Sequence, residues 1–275
     1  MKQMNCLLAG LPDTGKSTYI GGLWYNLENQ SSKMKMKASR ELVDDTQHLE
    51  SLSDKWLEGV RVDRTTEDKS SSVELRIEQK DNGNVLNINI PDFSGETFRQ
   101  IIEMTNSKDL DDWCEAADTL FYMANNLDPG HFEDDDNIGT VEGEKKNDEV
   151  PPFNSQKMSA CAQNIMVLKY LLGRKQFKKM IFAISCWDKV TGNGINPENP
   201  ESWLKSHSPV LYNFLKDQQP DSLIIGISAQ GLDYEGIDDD AVITNKTKSG
   251  ERAFVEIGDE IKYDLSLPLY MLINE

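Results

Sequence analysis

The sequence predicts a three-layer α/β fold: a mainly parallel six-stranded sheet with one antiparallel edge strand, and helices on both faces. Three observations carry that expectation. Gly10-Leu11-Pro12-Asp13-Thr14-Gly15-Lys16-Ser17 matches GxxxxGK[ST] in full, and it stands between an apolar run and a helical pattern. Short continuous apolar runs at Met4–Ala9, Thr119–Ala124, Lys179–Ser185 and Ser222–Ser228 have the character of strands covered on both faces. Helical patterns alternate with these runs, giving the order β-α-β-β-α-β-α-β-α-β.

Met4–Ala9 reads as the first buried strand, and Thr18 to Leu27 as a helix with Leu23 and Leu27 on one face. From Ala38 to Gly59, Leu42, Val43, Leu49, Leu52 and Trp56 fall at near-helical spacing, and Gly59 sits where a helix would stop. This is an inserted amphipathic helix, packed on the domain. Ser72–Glu78 and Val85–Ile90 both alternate apolar with polar around the turn Asp81-Asn82-Gly83-Asn84, the pattern of a β-hairpin. A helix is expected around Phe98 to Met104, and two more at Gln156–Leu172 and Glu201–Lys216. Leu127 to Val150 is acidic and aperiodic, and Asp134-Asp135-Asp136 within it lacks the spacing and closing Glu of an EF-hand, so it reads as a surface loop. Ala241 to Tyr263 reads as a second excursion, with a hairpin turning at Gly258-Asp259. Leu265 to Ile273 forms a closing helix, with Pro268 at an early position. The expected organisation is one domain over residues 1–275 with insertions at about 30–60, 127–155 and 232–263.

Composition narrows the function classes. The 275 residues are 38% hydrophobic, and no apolar run approaches a membrane span. A strand follows the N-terminus almost at once, leaving no room for a leader peptide. Cys6, Cys114, Cys161 and Cys186 are widely separated, with no CxxC pair, and read as reduced thiols of a cytoplasmic protein. The formal net charge of -18 disfavours nucleic acid and anionic lipid as partners. It leaves room for a phosphate ligand, because a phosphate loop is a local nest of donors within an acidic field. His48, His131 and His207 sit in polar surroundings and read as surface residues, whereas most of the five tryptophans read as helix-face core.

In the glycine loop, the backbone of Gly10, Asp13, Thr14, Gly15, Lys16, Ser17 and Thr18 offers N–H groups to phosphate oxygens at a helix N-terminus. Lys16 would reach the β- and γ-phosphates, and the Ser17 hydroxyl would hold Mg²⁺. Asp92, ending the second hairpin strand, stands where a carboxylate holds the Mg²⁺ hydration shell, and Gly95 three residues later offers an N–H to a γ-phosphate. Ser185-Cys186-Trp187-Asp188 occupies the sequence position where small GTPases read guanine. A carboxylate there accepts from guanine N1–H and the exocyclic amine, donors that adenine lacks. Ser228-Ala229-Gln230-Gly231 would set a backbone N–H against guanine O6.

On these four motifs the chain resembles translation-factor-class, Ras-like P-loop GTPases. Ser-x-Trp-Asp, Asp-x-Ser-Gly-Glu, the added helix and the terminal Asp-Leu-Ser-Leu-Pro stretch look closest to bacterial double-GTPase proteins of the TRAFAC clade. The resemblance implies a P-loop NTPase fold with GTP or GDP as ligand and Mg²⁺ as cofactor. It also implies a protein partner, such as a neighbouring GTPase or regulator, in signalling or defence. By the same resemblance the threonine that caps Mg²⁺ lies ahead of the hairpin, at Thr65 or else Thr66, with Arg64 beside it either as an internal arginine finger or as a plain surface residue. Two positions depart from the pattern. Cys186 stands where the family has a lysine covering the base. Glu96 follows the Asp92–Gly95 motif where many relatives have glutamine. A carboxylate at Glu96 would orient the attacking water but add negative charge beside the γ-phosphate, so slow turnover is expected, with Lys16, Thr65 and Glu96 as the catalytic set. The competing reading is a nucleotide-loaded scaffold that does not turn over.

Overall fold

The structure is a computed structural model that describes residues 2–29, 31–39, 46–60, 73–91, 101, 108–127, 158–191, 198–231 and 252–274. Strand β1 (Gln3–Ala9) lies at the centre of the sheet, parallel to β4 (Val85–Ile90) on one side and β5 (Thr119–Ala124) on the other. Beyond β5 come β6 (Lys179–Ser185) and β7 (Leu223–Ser228), also parallel. The hairpin partner β3 (Val73–Gln79) runs antiparallel to β4, with Leu75 opposite Ile88.

Burial explains the two kinds of strand sequence. Along β1, Met4, Cys6 and Leu8 enter one hydrophobic layer, while Leu7 and Ala9 enter the other. In β5, Phe121 and Met123 face the first layer, and Leu120, Tyr122 and Ala124 the second. Strands covered on both faces need apolar residues at every position. In β3 and β4, Leu75, Ile77, Leu86, Ile88 and Ile90 all join the same core, and polar residues alternate with them.

The first layer is built by α1 (Lys16–Asn29), α2 (Thr46–Glu58) and the C-terminal α8 (Leu267–Ile273). The second holds α3 (Lys108–Ala116), α4 (Ala160–Arg174), the short α5 (Trp187–Val190), α6 (Pro200–His207) and α7 (Pro209–Gln218).

Among the described residues the sheet has nine strands, in the order β2-β3-β4-β1-β5-β6-β7-β8-β9, where six were expected. On one side β2 (Met36–Ala38) pairs antiparallel with β3, so β3 is not the edge. At three residues, β2 is too short for any periodicity to reveal. On the other side β8 (Phe254–Ile257) pairs antiparallel with β7 and β9 (Glu260–Lys262) with β8. The hairpin turning at Gly258-Asp259 is present, with Gly258 at φ 58, but it extends the sheet instead of standing off it.

The described part of the inserted helix is Thr46–Glu58, with Leu49, Leu52 and Trp56 buried, and the expected Leu42 and Val43 lie outside the described residues. Another helix differs from expectation. The helix expected over Glu201–Lys216 is two helices that meet at Ser208-Pro209. Ser208, at φ −132 and ψ 60, is kept out of the helical region by the following proline ring. Pro209 has no N–H to continue the first helix and opens the second. Of the stretch Phe98 to Met104, the structure describes only Ile101, which is helical.

The α1–α2 contact depends on two glycines inside α1. A Cβ on Gly21 would lie 2.4 Å from the Leu52 carbonyl oxygen, and one on Gly22 would lie 2.6 Å from Trp56 Nε1. Helix propensity alone favours alanine at such positions by about 1 kcal/mol. A clash with backbone decides the opposite sign. Gly21→Ala is expected to lower stability by about 1–3 kcal/mol in denaturant unfolding; a variant as stable as the parent would show that α2 does not lie against α1 here.

Candidate functional site

Because β4, β1, β5, β6 and β7 are parallel neighbours, their carboxyl ends line one edge of the sheet. Open α/β sheets bind ligands at that edge. The structure gathers there the Gly10–Ser17 loop after β1, Ser185–Asp188 after β6 and Ser228–Gln230 after β7. Strand β4 ends at the same edge. The residues expected to follow it, Asp92, Gly95 and Glu96, lie outside the described residues, as do Arg64, Thr65 and Thr66.

The loop after β1 is shaped by close packing and by backbone angles that few residues accept. Gly10 has φ 153, and a Cβ there would sit 2.2 Å from the Met123 carbonyl oxygen of β5. Gly15 has φ 82 but open space where its Cβ would point, so conformation alone demands glycine there. Asp13, at φ 60, is a residue type that tolerates the left-handed region better than most. The Thr14 hydroxyl donates to the Leu11 carbonyl at 2.8 Å, and Thr14 is fully buried. Its side chain therefore braces the loop and leaves only its backbone for a ligand.

Lys16 opens α1, and its ammonium donates to the carbonyls of Gly10 at 2.9 Å and Leu11 at 2.8 Å, with Thr14 Oγ1 at 3.4 Å. A cation is thus held over the loop, beside a helix N-terminus whose first-turn amides point out of the helix. Ser17 is exposed and Thr18 half-buried beside it, so neither side chain is sealed in the core. Asn125, just beyond β5, donates its Nδ2 to the Asp13 carbonyl at 3.0 Å and ties the loop to the neighbouring strand. Sequence reasoning did not single out Asn125. The available signal was a polar Asn125-Asn126 pair closing an apolar strand, with Asn126 at φ 51.

At the far end of the edge, Asp188 is half-buried in the first turn of α5. That helix is anchored by Trp187, which is fully buried and donates its Nε1 to Glu256 Oε2 of β8 at 2.6 Å. Gly226 on β7 makes room for the ring: a Cβ there would lie 2.4 Å from Trp187 Cγ. Cys186 takes φ 54 and is exposed. Ser228 and Ala229 are buried, and the Ala229 carbonyl accepts from Trp56 Nε1 of α2 at 2.7 Å. The partners Glu256 and Trp56 come from segments that the sequence presented as insertions.

Among the described residues no group of three or more His, Cys, Asp or Glu is arranged to hold a metal. No described helix is long and apolar enough to cross a membrane. His48 and His207 are exposed, while Trp24, Trp56, Trp187 and Trp203 are buried in the core.

Two outcomes follow for the site. Asn125→Ala removes one brace of the loop and is expected to weaken nucleotide binding about two- to tenfold. Unfolding stability should stay within about 0.5 kcal/mol of the parent, since the bond is at the surface. Unchanged affinity would remove Asn125 from the site. Burial pushes the Cys6 and Cys114 thiols up to about 12. Both should resist a thiol reagent at pH 8 until the chain unfolds, while exposed Cys186 is modified first, as read by mass spectrometry of digests. Rapid native-state labelling of Cys6 or Cys114 would contradict the packing described.

Comparison with known proteins agrees with this reading at the level of family. Solved structures similar to this chain include a bacterial selenocysteine-specific elongation factor, at 16% identity and TM-score 0.39 over 90% of this chain and 28% of that one. The S. cerevisiae Ski7 GTPase-like domain bound to GTP matches at 16% identity and TM-score 0.44 over 86% of this chain and 46% of that one. A point variant of Aquifex aeolicus Era bound to GDP·AlF4⁻ matches at 14% identity and TM-score 0.37 over 90% of this chain and 57% of that one. This chain therefore spans between about a quarter and three fifths of those proteins. A comparison with curated proteins finds no match. The double-GTPase 1 family model matches residues 7–272, nearly the whole sequence, and the chain belongs to that family of P-loop GTPases.

Proposed function

We propose that this chain is a Mg²⁺-dependent switch that binds GTP and GDP, hydrolyses GTP slowly on its own and signals through a protein partner in a bacterial signalling or defence system. The observation that carries the reading is the Lys16 ammonium, held on the carbonyls of Gly10 and Leu11 over a glycine loop that is locked to β5. A cation and a cluster of backbone donors, fixed before ligand arrives, suit a polyphosphate and spare it the cost of ordering the loop. Family membership supports guanine-nucleotide binding and GTP hydrolysis in general terms.

In this reading the phosphates lie along the backbone of Gly10, Asp13, Gly15, Lys16, Ser17 and Thr18, and Lys16 withdraws charge from the β- and γ-phosphates. The Thr14 backbone joins them, its side chain being committed to the loop. The Ser17 hydroxyl is a hard oxygen donor of the kind Mg²⁺ takes while keeping several waters, and Asp92 and Thr65 complete that set. Held there, Mg²⁺ would supply neutralisation of phosphate charge. Asp188 accepts from the guanine N1–H and exocyclic amine, and loop amides at Ser228–Gln230 meet O6. Gly95 senses the γ-phosphate, and Glu96 orients the attacking water at the cost of added negative charge, which keeps intrinsic turnover slow. Loss of the γ-phosphate would release the segments around Thr65 and around Asp92–Glu96, and that release is the signal a partner reads. The net charge of -18 argues for a protein partner over nucleic acid, and cytoplasmic location is part of the same reading.

The test is binding of GDP, GTP and ADP in the presence of Mg²⁺ to the parent and to Lys16→Ala, followed by single-turnover phosphate release. Expected are GDP and GTP binding that ADP does not match, and a loss on the order of 100-fold in Lys16→Ala, the worth of its charged hydrogen bonds. ADP binding as tightly as GDP would refute the guanine reading. Tight GTP binding without phosphate release would favour the scaffold.

A further inference from the structure

Two side chains from outside the nucleotide motifs, Trp56 and Arg252, converge on the loop after β7, and Gln230 of that loop answers them. Trp56 of α2 donates its Nε1 to the Ala229 carbonyl at 2.7 Å, with both residues buried. Gln230 donates its Nε2 back to the Trp56 carbonyl at 3.2 Å. Arg252 lies with its guanidinium 3.8 Å from the centre of the Trp56 ring and donates to the backbone carbonyls of Trp56 and Leu57. Gly231, at φ 64, has no space for a Cβ against the Arg252 carbonyl, so the loop and the segment entering β8 are in direct contact.

Packing alone does not require this arrangement. Trp24 fills the same core with its indole nitrogen buried and without a hydrogen-bond partner, so a tryptophan here can serve as filler. Trp56 instead aims its N–H at one backbone carbonyl, and two further polar side chains hold the α2 backbone in place. A peptide unit is planar and trans. Fixing the Ala229 carbonyl on Trp56 therefore turns the N–H of Gln230 the opposite way, away from α2, and restricts rotation of Ala229 itself. Buried polar contacts of this kind specify one geometry, because each broken bond leaves an unsatisfied group.

We infer that Trp56 is a positioning residue for base recognition: the inserted helix α2, braced by Arg252, sets the orientation of the loop amides that meet guanine O6. The inference rests on the guanine reading above and names what gives that site part of its specificity. It also assigns a role to an insertion that the nucleotide motifs leave unexplained.

The experiment compares dissociation constants of GDP, IDP, 6-thio-GDP and ADP, with Mg²⁺, for the parent, Trp56→Phe and Arg252→Lys. IDP lacks the exocyclic amine and reports on the carboxylate at Asp188. 6-Thio-GDP carries a weaker acceptor at position 6 and reports on the loop amides. The parent should prefer GDP over both analogues. In Trp56→Phe the preference over 6-thio-GDP should fall about three- to tenfold, the worth of one hydrogen bond, while the preference over IDP is retained. Arg252→Lys, which keeps the charge but loses the planar fork, should move the same ratio in the same direction and stands in where Trp56→Phe does not fold. Both preferences unchanged, or both falling together as a general loosening would produce, overturns the inference. A parent that fails to prefer GDP over ADP fails at the guanine reading instead, and that result takes the inference with it.

Discussion

The contact between Gly10 and the β5 backbone is the constraint on which the rest of the structure depends. With the Cβ position of Gly10 only 2.2 Å from the Met123 carbonyl oxygen, the chain leaves β1 by a path that no side chain could share. That path closes the loop so tightly that its carbonyls at Gly10 and Leu11 point at Lys16, and it delivers α1 with its N-terminus facing back over the turn. Thr14 and Asn125 then hold the loop from inside and outside. Phosphate recognition needs donors fixed in advance, and this packing fixes them without help from a ligand.

The second consequence is electrostatic. A chain with a net charge of -18 presents a field that opposes any polyanion. A nucleotide site within it works only if the local donors are dense and shielded. The Lys16 ammonium, the loop amides and the α1 N-terminus supply that density within a few residues. The far end of the edge is organised differently. There the loops are steadied by buried tryptophans, Trp187 on Glu256 and Trp56 on Ala229, and these pairs draw on β8 and α2. In the proposed reading the phosphate end is built by the loop after β1, and the base end is supported by α2 and β8.

Much of this was legible in the sequence because it rests on local rules. GxxxxGK[ST] needs one strand, one loop and one helix, all close together in the chain, and each declared itself. Strands β1, β5, β6 and β7 were legible as continuous apolar runs because both their faces are covered, and β3–β4 as an alternating hairpin because one face is polar. What escaped depends on tertiary contact. Strand β2 is three residues long and is defined only by its partner, β3. Ser208-Pro209 carried the signal for a helix break, but the apolar spacing ran through it and masked the change of direction. Trp56 and Arg252 act through contacts with residues far away in the chain, and nothing in their neighbours' identities announces those contacts; at Asn125 the only local sign was the Asn125-Asn126 pair closing β5.

As proposed, one sheet edge grips a guanine nucleotide at two ends, by the Gly10–Thr18 loop and by the loops after β6 and β7. Amide hydrogen exchange with and without GDP and Mg²⁺ tests this most directly, since it reads every loop in one measurement. Simultaneous protection is expected of the amides of Asp13–Thr18 and of Ser228–Gln230, which lie near opposite ends of the sequence. Protection confined to the Asp13–Thr18 segment would contradict it, because it would mean that phosphate is bound and the base is not read.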